Sequence, residues 1–437
     1  MPLQHLTKSK MLLESRWRET ARTHARKLAV HETGSGRSWT FAQLESLADS
    51  EPLPPDQPLI HPAGRDVGFL CETLRAWRSG SPICPLESGQ EPFRGAPPGP
   101  HIALLKQTSG STRSPRGVAL TAAQVAADAD QIFTTMGLAA DQPNLGVISL
   151  AHSYGFANLV LPLLLHGIPL ILGESALPEA VRMAARPWGR LTLPAVPALW
   201  RTWLEADSIP PNLGLAISAG APLPLAIEHR ALDRLGLKIH NFLGASECGG
   251  IAYDRSTTAR HEASFVGRPM DGVRLSCGDR GQLIVESPAV ASTYWPAPEP
   301  SLGNGRFVTS DLAHIDAEGS LWIAGREDDL INVAGRKVAP ERIEQIFMTL
   351  PGIRDCLVLG IPDESGRGEC VGVVYSAESG ISELTFRTTL ADRLAPWELP
   401  RRWWRRESLG NDVRGKRSRK AWRQRLLESD TQGQAPS

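Results

Sequence analysis

The chain has 437 residues, 41% hydrophobic and 22% charged, which fits a soluble globular protein of two or more domains and excludes a disordered or collagen-like chain. Its 47 Lys and Arg balance 47 Asp and Glu, so global electrostatics nominate neither nucleic acid nor membrane, and any such case must rest on a local patch. The six cysteines, Cys71, Cys84, Cys248, Cys277, Cys356 and Cys370, form no C-x-x-C pair, which points to free thiols in a reducing, cytoplasmic setting rather than to zinc sites.

In chain order, the opening MPLQHLTKSKMLLESRWRET holds an apolar run of only three residues, too short for the core of a signal peptide. Prolines and glycines gather at 51–64 and 91–100, so the first hundred residues read as loop-rich and loosely organised. From about 102 to 243, short apolar runs alternate with amphipathic stretches, as in strand and helix units on a parallel sheet. IALLKQ reads as a strand. Thr121 can cap the helix that follows, where Val125, Ala129, Ile132, Phe133 and Met136 share one face. GVISL, IPLIL, RLTL, LGLAIS and LKIHNFL are further strand candidates. The richest apolar stretch, Leu159 to Leu172, is broken by Pro162, His166, Gly167 and Pro169, so no transmembrane segment is expected.

From about 264 the texture changes to short strands and Gly turns, GQLIVES and GSLWIAG among them, which suggests a β-rich subdomain over about 264–326. A smaller mixed α+β region follows, with ERIEQIF helical and CLVLGI and CVGVVYS as strands. The reading is therefore an α/β protein: a large N-terminal domain over 1–326, a small domain over 327–427, and a polar, frayed tail at 428–437.

The sharpest chemical signal is TSGSTRSPRG, Thr108 to Gly117, directly after the IALLKQ strand. Hydroxyls at Thr108, Ser109, Ser111 and Thr112, with the small Gly110, let backbone N–H groups wrap an anionic phosphate chain. Taken alone, a surface Ser/Gly turn explains the same composition.

With its partners the segment resembles the phosphate loop of the adenylate-forming superfamily, which includes acyl-CoA synthetases, firefly luciferase and the adenylation domains of peptide synthetases. NFLGASECGG (241–250) looks like that family's adenine and magnesium motif. The stretch 306–345, containing TSDLAH and AGREDD, is similar to its ribose-binding and hinge region, and GKRSR (415–419) to its catalytic-lysine motif. SAGAPL (218–223) and VGRPMDGV (266–273) match more loosely between these. Four motifs in the family's order are far more specific than any one of them.

The resemblance implies ATP and Mg2+ as cofactors, a carboxylic acid as substrate, and coenzyme A or phosphopantetheine, the latter on an acyl carrier protein, as acceptor. Glu247 would be the magnesium ligand, with an exposed loop acid as the bland alternative. Ser246 would meet the α-phosphate, Asn241 the adenine edge, and Phe242 or the Gly220 segment the adenine face. Asp311 and Arg326 would grip the ribose, and Arg116 keeps the charge of the usual loop lysine. Lys416 would be the catalytic cation on a mobile lid, Asp328 its hinge, and Gly335 the place where the thiol arm passes. His152, in LAHSYGFANL, stands where acyl-CoA synthetases carry a residue beside the acyl carboxylate; a structural histidine is the alternative. That segment lacks the aspartate that holds an amino acid's ammonium, which favours a fatty or aromatic acid.

Three departures stand out: Arg113 for a loop glycine, Leu243 for the stacking tyrosine, and GND at 410–412. They motivate a second reading, a catalytically impaired homologue acting as an interaction or regulatory module. A third reading, nucleic-acid binding through RRWWRR and GKRSRK, ranks below both, because the lysine motif already accounts for much of that basic stretch.

Overall fold

The computed structural model describes residues 11–50, 58–93, 96–108, 116–363, 368–378, 383–410 and 418–431. The protein is α/β and divides into two compact units that interleave in sequence: Met1–Ser276, Ile284–Thr309 and Ile315–Leu321 form the first, and Cys277–Leu283, Ser310–His314 and Trp322–Ser437 the second.

The first unit opens on ordered structure, against expectation. The helix Leu12–Thr23 turns Leu13, Trp17 and Ala21, four residues apart, into the core. Strands β1 (Leu28–Glu32) and β2 (Ser38–Thr40) follow, then the helix Phe41–Asp49, begun by a reciprocal capping box between Thr40 and Gln43. A third helix, Val67–Ser79, starts at the Asp66 carboxylate and stops at Gly80 in the left-handed conformation. The Pro/Gly-rich flanks mask this region in composition, yet the fully buried Trp17, Phe41 and Phe69 give it a core.

Strands β3 (Ile102–Thr108) and β4 (Arg116–Thr121) pair antiparallel, and the helix Ala122–Met136 follows, capped by Thr121 with Gln124 as the sequence pattern requires. Next come β5 (Asn144–Gly146), β6 (Leu170–Leu172), β7 (Leu191–Ala195), β8 (Leu213–Ser218), β9 (Ile239–Ala245), β10 (Gly249–Tyr253) and β11 (Phe265–Pro269). β12 (Arg274–Cys277), β13 (Gln282–Glu286) and β14 (Thr293–Trp295) complete the strands used below. Within the first unit the main sheet runs β11-β10-β9-β8-β7-β5-β6-β1-β2, parallel from β9 to β1 and antiparallel at both ends. The buried runs LTLPA and LIL fit strands covered on both faces. Trp200 and Trp203, from the helix Pro197–Glu205, pack edge to face with centroids 5.3 Å apart beneath one of those faces. A second sheet has the order β14-β4-β3.

The strand expected at GVISL lies earlier, at Asn144–Gly146. Asn144 is fully buried and its amide donates to the Asn158 carbonyl at 3.0 Å, so a polar residue opens an interior strand. Asn158 itself lies in a π-helical turn, Phe156–Val160, where the Leu161 N–H reaches the Phe156 carbonyl five residues back.

Four charged side chains are buried together in this unit. Lys238 contacts Glu228 and sits 2.7 Å from Asp254, while Arg260 Nε donates to Glu228 Oε2 at 2.7 Å. The Arg260 guanidinium also donates to the carbonyls of Leu223 and Phe265 at 2.6 and 2.8 Å. Two cations and two anions balance, and the group ties the helix Leu225–Leu235 to the ends of β9 and β10.

In the second unit the strands Ile353–Pro362 and Glu369–Ala377 pair antiparallel, and Arg402–Arg405 adds in parallel to the latter. One face carries Val358, Val373 and Tyr375 against Ile343, Phe347, Phe386 and Leu390 of the helices Pro340–Phe347 and Glu383–Ala391. The other face carries Leu357, Leu359 and Val374 against Leu426 of the helix Arg419–Thr431. Alternation with period two thus fills both sides. Trp403 packs on the first face and Trp404 on the second, so the tryptophans of RRWWRR serve the core of this unit. All six cysteines are free thiols, and only Cys277 is exposed. Among the described residues no helix is long and apolar enough to cross a membrane.

Candidate active site

The candidate residues of the first unit follow the carboxyl ends of its parallel strands. His152 follows β5, Gly220 follows β8, and Ser246 and Glu247 follow β9. Open α/β sheets bind ligands at such ends, where helices and loops diverge. Asn241 lies within β9, opposite Ser218 of β8, and is buried. Its amide points to the Phe265 carbonyl at 3.5 Å. Phe242 is buried beside Tyr154, centroids 6.1 Å apart. Gly220 is exposed at φ 87°, a left-handed position that suits glycine.

The phosphate segment joins two strands of a hairpin rather than a strand to a helix. Thr108 and Arg116 are partners in the β3–β4 ladder, and the Thr108 hydroxyl donates to the Arg116 carbonyl at 3.2 Å. Ser109, Gly110, Ser111 and Thr112, with Arg113, lie outside the described residues. Arg116 lays its guanidinium carbon 3.4 Å from the centroid of the Tyr294 ring and reaches Glu299 at 2.7 Å. The Tyr294 hydroxyl donates to Glu247 Oε1 at 3.0 Å. Burial, and then the adjacent Glu247 charge, push the Tyr294 hydroxyl well above its ordinary pKa, so it remains a donor at neutral pH.

Ser246 Oγ and Ser153 Oγ are 2.8 Å apart, which links the adenine-motif turn to the residue after His152. His152 itself caps a short helical turn: its Nδ1 accepts from the Tyr154 N–H at 3.3 Å, and its own N–H donates to Ser149 Oγ at 3.3 Å. Behind Glu247, the buried Asp128 accepts from the Gly250 N–H at 3.0 Å, with Lys106 Nζ 3.8 Å away. Gly249, at φ 69°, packs so closely on the Asp128 carboxylate that a Cβ has no room. Among the described residues no cluster of three or more His, Cys, Asp or Glu is built to hold a metal. A magnesium ion here would rest on Glu247 together with phosphate oxygens and water, a set it commonly accepts. Glu247 fits, because Oε1 is engaged by Tyr294 while Oε2 has no protein partner among the described residues.

In the second unit, Arg326 Nε stands 3.6 Å from Asp311 and donates to Ser310 Oγ at 3.1 Å. Asp328 lies in the 3-10 turn Glu327–Asp329. Gly335 and Ala334, at φ 87° and 49°, make the two-residue turn between the strands Ile331–Val333 and Arg336–Val338. No atom lies within 4 Å of a Cβ built on Gly335, so the turn conformation, not local space, calls for glycine here. Lys416 lies outside the described residues.

Arg419, which closes the lysine motif, is held by three acids: Glu344 through both oxygens at 2.9 Å, Asp329 at 2.9 Å and Glu341 at 2.9 Å. Its Nε donates to the Val358 carbonyl at 3.0 Å. Burial pushes Glu344 up to about 7, against the pull of Arg419, and burial likewise raises Glu341, whose Oε2 is buried with no hydrogen-bond partner.

Tyr294, Ser153, Lys106, Asp128 and the acids around Arg419 were not singled out by sequence reading. Their roles arise from pairings across long stretches of chain, and no local motif announces them.

The AMP-binding enzyme family matches residues 67–295, more than half of the 437. The chain belongs to that family, and so to the adenylate-forming superfamily. It is 30% identical over 326 residues to a feruloyl-CoA synthase of Amycolatopsis sp, covering 69% of this chain and 65% of that one. It is 25% identical over 354 residues to a long-chain-fatty-acid–CoA ligase of Bacillus subtilis, covering 76% and 62%. The chain thus spans somewhat under two thirds of the length of these curated relatives. In fold it resembles ATP-bound MatB from Rhodopseudomonas palustris, with a TM-score of 0.84 at 19% identity over 95% of this chain and 99% of that one. It also resembles the O-succinylbenzoate coenzyme A synthetase MenE of Bacillus subtilis with AMP, at a TM-score of 0.79 and 17% identity over 93% and 97%.

Proposed function

We propose that the chain joins a carboxylic acid, fatty or aromatic, to a thiol at the expense of ATP. A carboxylate oxygen attacks the α-phosphorus, the acyl–phosphate bond forms, and pyrophosphate leaves. The sulfur of coenzyme A, or of a carrier protein's phosphopantetheine, then attacks the acyl carbonyl. A thioester forms, AMP leaves with the bonding pair, and the thiol proton passes to solvent.

The observation that carries this reading is the joining of Arg116 and Glu247 through one tyrosine, Tyr294, beside the carboxyl end of β9. A fixed cation and a carboxylate free on one oxygen are what a triphosphate with its metal requires at the reacting end. Magnesium would supply charge neutralisation on the phosphate oxygens. Family membership and relatives named as CoA ligases support the same chemistry. In this reading Thr108, Ser109, Gly110, Ser111, Thr112 and Arg116 hold the phosphates. Ser246 meets the α-phosphate, and Asn241, Phe242 and Gly220 frame the adenine. Asp311 and Arg326 take the ribose, His152 faces the acid, and Lys416 neutralises the reacting centre from a small mobile domain over 327–427.

The test is pyrophosphate release that needs both ATP and an acid, read across a panel of fatty and aromatic acids. Lys416→Ala is expected to lower the rate by about 100-fold or more, the scale of losing one transition-state charge partner. Absence of acid-dependent release across the whole panel would overturn the proposal.

A further inference from the structure

Tyr294 belongs to none of the motifs that mark the family in this sequence, yet it touches both charged groups of the candidate phosphate site. Strand β14 places it there. Tyr294 is opposite Val118, and Trp295 opposite Gly117, in the antiparallel pairing with β4. Arg116, the first residue of β4, therefore lies beside the tyrosine ring, and its guanidinium carbon settles 3.4 Å from the ring centroid. The hydroxyl at the ring's far end donates to Glu247 Oε1. On the Glu247 side, the Ala291 N–H, three residues before Tyr294, donates to the Glu247 carbonyl at 2.8 Å. The segment Ala291–Tyr294 thus holds Glu247 by its main chain and by its side chain together.

This arrangement does three things. It fixes one rotamer of a half-exposed glutamate by engaging Oε1. It leaves Oε2 as the carboxylate oxygen without a protein partner among the described residues. It also holds the guanidinium flat on an aromatic face, which restrains a long, flexible cation where a hydrated ammonium would be free to wander. Glu299 at 2.7 Å takes a second side of that guanidinium, so Arg116 is restrained between a ring and a carboxylate.

We infer that Tyr294 is a positioning residue of the nucleotide site: its hydroxyl turns Glu247 so that one oxygen faces the metal of a metal–nucleotide, and its ring sets Arg116 at the end of the phosphate turn. The inference rests on the proposed ATP-dependent reaction. It assigns separate work to two parts of one side chain, and the parts can be removed separately.

The experiment is calorimetric titration of the full chain with ATP, once with magnesium chloride and once with EDTA. The proteins are the wild type, Tyr294→Phe, Glu247→Gln and the double variant, with the melting temperature of each as a fold check. Tyr294→Phe keeps the ring under Arg116 and removes only the hydroxyl. It is expected to weaken ATP binding about 10-fold in magnesium, the scale of one hydrogen bond to a charged group. Binding in EDTA should change by less than about 2-fold. Glu247→Gln should lose the same magnesium-dependent increment, and the double variant should lose no more than Glu247→Gln alone. Tyr294→Leu, which also removes the ring, should weaken binding in EDTA as well.

An unchanged magnesium increment in Tyr294→Phe would overturn the inference, and so would equal losses with and without the metal, the mark of a merely structural tyrosine. If Tyr294→Phe fails to fold, Glu247→Gln decides alone: a retained magnesium increment in that variant also overturns it. A wild type that binds no ATP under either condition refutes the parent reading itself, which separates the two failures.

Discussion

In the first unit, Lys238 and Arg260 share Glu228 and Asp254, two cations for two anions, with backbone carbonyls taking the remaining guanidinium hydrogens. In the second, Arg419 alone faces Asp329, Glu341 and Glu344. Both clusters take charge out of water, which is costly unless every group is paired. The first meets that condition by balance. The second carries two surplus negative charges, and it relieves them by holding a proton, consistent with Glu344 being pushed up to about 7. A balanced cluster is scaffold, indifferent to pH across the neutral range. An unbalanced one is sensitive to pH, and this one sits three residues from Lys416 in the sequence.

The comparison is broken most forcefully by Glu228→Ala. It strips both Lys238 and Arg260 of a carboxylate inside the protein, and a loss of about 3–5 kcal/mol is expected in urea denaturation followed by tryptophan fluorescence. A loss below about 1 kcal/mol would show that the four charges do not act as a unit. Arg419→Leu should cost somewhat less, about 2–3 kcal/mol, because protonation can relieve part of the repulsion left among the three acids. The penalty should grow from pH 5 to pH 8; a constant penalty would mean that no proton is held there.

Smallest and most diagnostic is Glu344→Gln. The folded pKa of Glu344 lies above its unfolded value, so between about 4.5 and 7 the folded chain binds a proton that the unfolded chain does not. Stability from this group is complete below that window and falls as pH rises through it. The wild-type melting temperature should therefore drop by a few degrees across the window. Glu344→Gln, which cannot titrate, should show a flatter profile, and equal slopes in the two proteins would remove Glu344 as the source.

How much of this was legible in the sequence differs by region. Strand β8 is LGLAIS residue for residue, β9 falls within two residues of LKIHNFL, and Thr121 caps its helix with Gln124, because period, capping chemistry and turn residues are local properties. The family was legible from four short motifs, and family membership holds. The N-terminal helices were not, since the Pro/Gly flanks at 51–64 and 91–100 outweighed the four-residue spacing of Leu13, Trp17 and Ala21. Tyr294 was invisible for a different reason. Its neighbours Val118 and Glu247 come from distant parts of the chain, and only the pairing of β14 with β4 brings them together. The clusters around Arg260 and Arg419 are unreadable in the same way, as one-dimensional sequence shows only scattered charged residues.

The π-helical turn at Phe156–Val160 has a consequence for the chain's history. One residue more than an α-helical turn is accommodated there, with the Asn158 side chain donating to the Tyr154 carbonyl and the Asn158 carbonyl accepting from Asn144. Removing one residue from 156–160 would restore ordinary winding and rotate everything downstream by about 100°. Leu161, Leu163, Leu164 and Leu165, all buried now, would be turned partly outward. The turn therefore acts as a phase correction between His152 and the apolar helix behind it, so that lineages changing the pocket's length at this point must change it elsewhere too.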